Sequence, residues 1–476
     1  MTFLIFVIYT FILRIQYASS YARSWDQVDF ALGVTEFDLF TMQPHFPGYP
    51  YFILGGMLLH PFLGDPLQSL SIFNSILTLS SIIPIYLLFK RKYSSVTTLL
   101  FVALIHSLSY IWVLSTEVMS EAAAISVLCW YVWSLYQSYK KPGSIWGLLP
   151  LLLFSILMGI RLSYLPFGLG LLLIWWYERK RFKTKQYYIL FILKQLLIAI
   201  SFQLIWVIAL VISTGGISLF TELAFGFVTG HFTEWGGAVT ADSMPIWKRL
   251  YTLLVYNLLW KTLLAESWII ACLYGGLILL SVFHITKTKK VDTFNLWVLL
   301  VCVFYFVWVL FAQNIDKPRH IAPVIVFLVY LILWSFGGRM RILFLTFCFA
   351  LIMVQSWIGI TLVKEKATNP PAVYQLSNYL TKIDEPFVIY TWEESRVMEY
   401  LKVNYSYNKI YTYEQFQNRL AYNKDKRVFL TDHVLRGFEI QGYNIRDHVR
   451  KVSEFHSSDL FDPVYNNLYL YEWISD

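Results

Sequence analysis

The chain has 476 residues, of which 57% are hydrophobic, 18% aromatic and only 14% charged, with a net charge of +8. A soluble domain carries roughly 25% charged residues, so this composition excludes an ordinary soluble globular protein. Apolar runs long enough to cross a hydrocarbon core of about 30 Å recur along the first three quarters, which predicts an α-helical polytopic membrane protein whose positive charge is to be read by position, with no nucleic-acid partner.

In chain order, "MTFLIFVIYTFILRIQYA" lacks a basic leader and a small-residue cleavage site, so it reads as a retained span rather than a signal peptide. Five basic clusters follow: Lys90–Tyr93, Lys140–Lys141, the run from Glu178, "KTKK" from Lys287, and Arg339–Arg341. Putting all five in the cytoplasm satisfies the positive-inside rule. Spans then fall near 1–18, 66–89, 95–114, 119–139, 143–160, 162–177, 188–213, 265–284, 294–313, 321–336 and 340–363. That is about eleven helices in a cell membrane, with the N-terminus cytoplasmic and the C-terminus extracytoplasmic. The four cysteines, Cys129, Cys272, Cys302 and Cys348, all lie in apolar runs, so free buried thiols are expected, with no disulfide and no metal-type spacing.

This threading sorts the longer polar segments to the outside: loops 19–65 and 214–264, a short hairpin at 115–118, residues 314–320, and residues 364–476 beyond the membrane domain of residues 1–363. The tail alternates strand-like runs ("PFVIYT", "RVFLTD", "NNLYLYEW") with a helical pattern ("EQFQNRLAYNK"), which predicts a small α/β domain. It has no glycine-rich phosphate loop. Asn404-Tyr405-Ser406 fits a glycosylation acceptor pattern.

Candidate chemistry collects at the external mouths. In "SWDQVDFALG", Asp26 and Asp29 share one helical face at a spacing of three. "PHFPGYP", with His45 and Tyr49, is a stiff turn whose prolines set the backbone beforehand. An interfacial helix with solvated carboxylates is the structural alternative. Glu117 and Glu121 are four apart in "STEVMSEAA", where a carboxylate in a membrane helix costs roughly 2.5–3.5 kcal/mol. A helix start capped by Ser120, with Glu121 at the positive dipole end, is the plainer account. Arg161 suits a phosphate or carboxylate partner, or snorkels to the interface. Lys317, Arg319 and His320 in "NIDKPRHIAP" suggest an anion site, or a charged cap on a short loop. In the 214–264 loop, the aromatics interleaved with glycine around His231, Glu234 and Trp235 suit a mobile lid or an interfacial patch, and Lys248, Arg249 and Lys261 could meet anionic headgroups. No known metal motif is present there.

On "WDQVDFAL…FDLFTMQPHFPGYP", "EVMSEAAAISV", "GIRLSYLPF" and "DKPRHIAPV" the chain resembles the polytopic GT-C-type glycosyltransferases that use polyprenyl-phosphate sugars, the protein O-mannosyltransferase and aminoarabinose transferase family. It departs from them in having Phe46 between His45 and Pro47, and Asp-x-x-Asp in place of an adjacent acidic pair. The resemblance implies inverting sugar transfer from a lipid phosphate to a protein, lipid or polysaccharide acceptor outside the cytoplasm. Asp26 is the better match to the family's essential acid and would serve as general base, with Asp29 assisting. Arg161, Arg319, Lys317 and His320 would hold the phosphate, and His45, Tyr49, Glu117 and Glu121 would line the pocket. No cofactor is implied and no Asp-x-Asp metal motif is seen. A transporter or flippase of lipid-linked sugars is the main rival; it predicts charge near the bilayer midplane and comparable polar investment on both faces. A non-catalytic envelope scaffold and a metal-dependent oligosaccharide ligase are two further readings.

Overall fold

The computed structural model describes residues 1–241, 244–288, 292–336, 340–423 and 425–474, apart from the side chains of residues 283–288. Lys289, Lys290 and Arg339 of the predicted basic clusters, and the side chain of Lys287, lie outside the described residues.

All eleven predicted spans coincide with helices, but among the described residues only four helices are both long and apolar enough to cross a membrane: Pro66–Phe89, Lys185–Ser213, Thr293–Ala312 and the long helix that starts at Arg341. Two bent pairs raise the number to six. One joins Ser95–His106 to Ser109–Ser115 at 64°, the other joins Ile246–Leu263 to Trp268–Val282 at 105°. The first half of the second pair lies in what the sequence suggested was an external loop. So do the apolar Pro50–Leu63 helix and the Ile217–Thr233 helix. The Glu121–Lys140 helix is long enough but less apolar, because it buries Glu121, Ser126, Ser134 and Ser138 against its neighbours. Multiple apolar helices make this a multi-pass membrane protein.

Where a helix breaks, its orphan groups find partners, as burial requires. At the 64° bend the His106 carbonyl accepts from Arg14 Nη2 at 3.0 Å and from Trp112 Nε1 at 3.1 Å. At the other break, between Ser115 and Glu121, Asn74 Nδ2 donates to the carbonyls of Glu117 and Met119, both at 2.8 Å, while its Oδ1 accepts from the Ala123 amide at 3.0 Å. Ser75 Oγ donates to the Ser115 carbonyl at 2.8 Å. One buried asparagine thus sets the turn from which Glu117 and Glu121 project.

The basic connections gather at one end of the bundle. Arg91 reaches Asp292 at 3.6 Å and stacks on Tyr136 and Trp334. Glu178 pairs with Arg181 and accepts from the Gly143 amide. The acidic mouths lie at the other end, with the tail domain. Three cysteines are buried as expected, whereas Cys272 is exposed on the outer face of its helix.

The tail forms a five-stranded sheet from β1 (Phe387–Thr391), β2 (Ser406–Lys409), β3 (Arg427–Thr431), β4 (Val449–His456) and β5 (Asn467–Trp473), in the order β2-β1-β3-β5-β4. The first three strands are parallel and the last two join antiparallel. Alternation along β1 and β3 sends Val388, Tyr390, Val428 and Leu430 to one face, against Phe416, Val434 and Phe438. Ile389 and Phe429 go to the other face, into an apolar cluster continuous with the membrane helices. The sequence expectations captured β1, β3, β5 and the Tyr413–Ala421 helix. They missed β2 and β4, whose half-exposed polar residues give no clean alternation.

Because Asn74 satisfies three buried backbone groups, Asn74→Ala is expected to destabilise the protein by about 2–4 kcal/mol. A lower midpoint of chemical unfolding in mild detergent would record it; an unchanged midpoint would mean the turn is held by Ser75 alone.

Candidate functional site

The Trp25–Thr35 helix and the proline turn after it form one unit. Gly33 lets the turn close on the helix, since a Cβ there would sit 2.8 Å from Pro44 Cδ. Paired backbone hydrogen bonds between Asp38 and Gln43, at 2.6 and 2.7 Å, fold the segment back. Gly48 and Tyr49 adopt positive φ, 84° and 45°, to redirect the chain into the next helix. The rings of His45 and Tyr49 then pack on Phe30, with centroids 5.4 and 4.7 Å away.

The acids meet cations brought from distant segments. Asp26 Oδ2 contacts Arg319 Nη2 at 2.9 Å and Lys317 Nζ at 3.3 Å. Glu121 Oε1 contacts Arg319 Nε at 2.8 Å and Arg161 Nη2 at 3.1 Å. Arg319 therefore bridges both carboxylates. The Glu121 contacts are charge contacts rather than aligned hydrogen bonds, because neither Glu121 oxygen nor the Nε of Arg161 or Arg319 has a hydrogen-bond partner among the described residues. Arg161 Nη1 donates to Ser120 Oγ at 3.0 Å, which ties the serine expected as a cap to the arginine instead.

Asp29 is held differently. Its Oδ2 lies 3.1 Å from His45 Nδ1 and its Oδ1 accepts from Arg396 Nε at 2.9 Å. His45 Nε2 continues to the Tyr49 hydroxyl at 3.2 Å. The Asp29 side chain is 0% exposed whereas that of Asp26 is 28% exposed, so of the two aspartates only Asp26 reaches the surface. Their electrostatics diverge too. Burial pushes the Asp26 carboxyl up, but Lys317, His45 and Arg319 outweigh it and hold it well below the usual carboxylate range. Burial dominates at Asp29 and raises it despite His45 and Arg396.

Glu117 lies to one side. Its Oε1 accepts from Gln27 Nε2 at 3.1 Å, and burial raises its carboxyl. His320 points its Nδ1 at the Asn314 carbonyl, 2.9 Å away, which fixes the ring beside the cations. The predicted residues thus converge on one mouth. The 214–264 set does not join them: His231 bonds the Ala312 carbonyl at 2.8 Å, and Arg249 donates to the Leu310, Gly237 and Gln313 carbonyls. Lys261 pairs with Glu266 and Asp459. Arg249 and Lys261 serve as internal struts rather than headgroup contacts, because their own side chains are buried, 0% and 1% exposed. Among the described residues no group of three or more His, Cys, Asp or Glu could hold a metal ion.

Several participants were not foreseen. Arg396 reaches Asp29 from the tail domain and also donates to the Thr41 and Met42 carbonyls. Within "ESRVMEY" it reads as an ordinary surface pair with Glu399, 3.0 Å away, and its other partners lie hundreds of residues upstream. Arg23 donates to the Lys366 carbonyl at 2.5 Å, and its amide donates to Gln27, tying the acidic segment to the last long helix. On the tail domain, Glu394 lies 2.5 Å from His433 Nδ1, and the Tyr465 hydroxyl donates to Glu393. Burial opposes charge on His433, but the hydrogen bond and charge of Glu394, with Asp432 and Glu393 nearby, raise it to about 9.

Residues 43–206 match the family described as dolichyl-phosphate-mannose-protein mannosyltransferase. No curated protein matches the chain by sequence. Among solved structures, ArnT from Cupriavidus metallidurans bound to undecaprenyl phosphate superposes with a TM-score of 0.58 at 9% identity, over 98% of this chain and 97% of that one. The apo state of the same protein gives 0.57 at 10% identity with the same coverage. The Archaeoglobus fulgidus oligosaccharyltransferase tethered to an acceptor peptide gives 0.48 at 10% identity, over 90% of this chain and 69% of that one. The family match over residues 43–206, on a chain that shares the ArnT fold, indicates a membrane glycosyltransferase.

The His433–Glu394 pair sets a pH dependence. A histidine raised from 6.5 to about 9 contributes stability that is fully present below pH 6.5 and is lost as pH rises through about 9. The thermal midpoint is expected to fall between pH 6.5 and 9.5, by the equivalent of at most about 3 kcal/mol. His433→Gln should flatten that slope; an equal slope in the variant would assign it to other groups.

Proposed function

We propose that the protein transfers a sugar, with inversion, from a polyprenyl-phosphate donor to an acceptor hydroxyl on the extracytoplasmic side. In this reading residues 1–363 cross the membrane about eleven times with the N-terminus cytoplasmic, and residues 364–476 cover the external mouth. The observation that carries it is the row Lys317, Arg319, Arg161 set against Asp26 and Glu121. Three cations against two carboxylates leave one net positive charge, matched to a phosphodiester. The Nε of Arg161 is a buried donor with no hydrogen-bond partner among the described residues, a costly condition that an anion would relieve. That ArnT binds undecaprenyl phosphate supports a lipid phosphate as the anion here.

In the transfer, the acceptor hydroxyl gives its proton to Asp26 while its oxygen bonds to the anomeric carbon. The bond from that carbon to the phosphate oxygen breaks, and the lipid phosphate leaves with the electron pair. No acid is needed for a leaving group that is already a phosphate; cations that hold its growing charge lower the barrier instead. Asp26 paired to Lys317 and Arg319 is a weak base. A phosphate that draws those cations away restores its basicity, so donor binding and base activation are one event. Asp29 stays buried between His45 and Arg396 and orients the turn that carries His45 and Tyr49. Glu117 and Glu121 shape the pocket and keep Arg161 and Arg319 in place.

Purified protein in nanodiscs, given polyprenyl-phosphate sugars, should release lipid phosphate with one of them in the presence of acceptor. Asp26→Asn should lower kcat by about 10²–10⁴-fold. It should bind the donor at least as tightly as wild type, because Lys317 and Arg319 lose a competing carboxylate. Undiminished release in Asp26→Asn would remove Asp26 as base, and no release from any donor would favour transport.

A further inference from the structure

The tail domain carries a switch in strand order that the proposed chemistry leaves unused. The chain passes from β1 to β2 on one side and then to β3 on the other, so the strand order, though not the strand direction, reverses between β1 and β3. In open α/β sheets the carboxyl ends of parallel strands at such a reversal form a natural crevice for ligands. Here those ends carry Trp392 and Glu393 after β1, Lys409 and Tyr411 at β2, and His433 after β3. Helices leave on opposite faces: Val397 and Met398, after β1, pack on the membrane side, while Val434 and Leu435, after β3, pack on the other.

The crevice opens onto the proposed catalytic mouth. Lys409 Nζ lies 4.7 Å from the Trp392 ring, 5.1 Å from Tyr411 and 4.2 Å from Trp25, the neighbour of Asp26. Glu393 is close enough to feel the charges of Lys317 and Asp26. Tyr411 is 56% exposed, so the site reaches solvent. Beneath it, the side chains of Thr391 and Thr431 end β1 and β3 at neighbouring positions of the same register and on the same face. Both are fully buried, and neither hydroxyl has a hydrogen-bond partner among the described residues. Two orphaned hydroxyls side by side, at strand ends that already point to a ligand site, are polar groups awaiting partners.

We propose that this crevice binds the acceptor, and that the acceptor is a saccharide; this deepens the sugar-transfer reading and rests on it. The lining fits a polyhydroxylated ring. Trp25, Trp392 and Tyr411 wall the site around the Lys409 ammonium, and Lys409, Glu393, His433 and the threonine hydroxyls offer both donors and acceptors to its hydroxyls. A phosphorylated ligand would face Glu393, Glu394 and Asp432. An extended peptide would seek a free strand edge, whereas this crevice lies at strand ends.

The full-length protein in nanodiscs is to be tested by saturation-transfer NMR with neutral hexaoses of glucose, mannose and N-acetylglucosamine, and with a serine/threonine-rich decapeptide. At least one hexaose is expected to bind. Trp392→Ala and the conservative Glu393→Gln should each weaken it tenfold or more without changing the melting profile. Thr391→Val, isosteric but lacking the hydroxyl, should weaken it at least threefold. No hexaose binding, binding unaffected by all three variants, or binding of the peptide alone would overturn the proposal. Hexaose binding without donor turnover would sink the enzymatic reading and leave the site; donor turnover without hexaose binding would do the reverse.

Discussion

The architecture is organised around carboxylates that have been taken out of water. An ionised carboxylate in a low-dielectric interior is tolerated only beside a compensating charge. Asp29 and Glu121 have no exposed surface, and each sits between two basic side chains. The compensating groups come from different parts of the chain: the proline turn, the 161 region, the 317–320 turn and the tail domain. Satisfying them fixes which helices and loops meet at the mouth. The apolar helices supply the packing energy, but they would pack acceptably in several rotations; the ion pairs select one.

The same constraint separates the two aspartates by role. Both lie on one face of a short helix, yet Asp29 faces inward to a histidine and an arginine, and Asp26 faces the opening. A group held on all sides is suited to holding others still, and a group with one open side is suited to proton transfer. The tail domain takes part in both, through Arg396 at Asp29 and through the strand ends beside Asp26. It is part of the mouth rather than an appendage.

Sequence patterns made the helices legible because apolar runs of about twenty residues carry their own meaning in a membrane. They misjudged residues 50–63, 217–233 and 246–263, where apolar or amphipathic helices lie among glycines and prolines that read as loop. The mouth was legible because charged residues are rare in such a chain, so Asp26, Glu121, Arg161 and Arg319 stood out. Arg396 and His433 did not, since a charge in a polar domain is unremarked until its partner is known. The roles assigned in the 214–264 loop erred for a related reason: Arg249 and Lys261 are basic, but only three-dimensional packing reveals the carbonyls and carboxylates that claim them.

The bond between Asp29 and Arg396 spans 367 residues. At a synthesis rate of 5–20 residues per second the ribosome needs about 20–70 s to deliver the second partner after the first. Throughout that interval Asp29 lacks its arginine, and the proline turn lacks the guanidinium that grips the Thr41 and Met42 carbonyls. The mouth is therefore completed only after the long helix that starts at Arg341 has been made. A chain stalled or cleaved between Thr368 and Arg396 would carry the long apolar helices and still present an open, unfinished mouth.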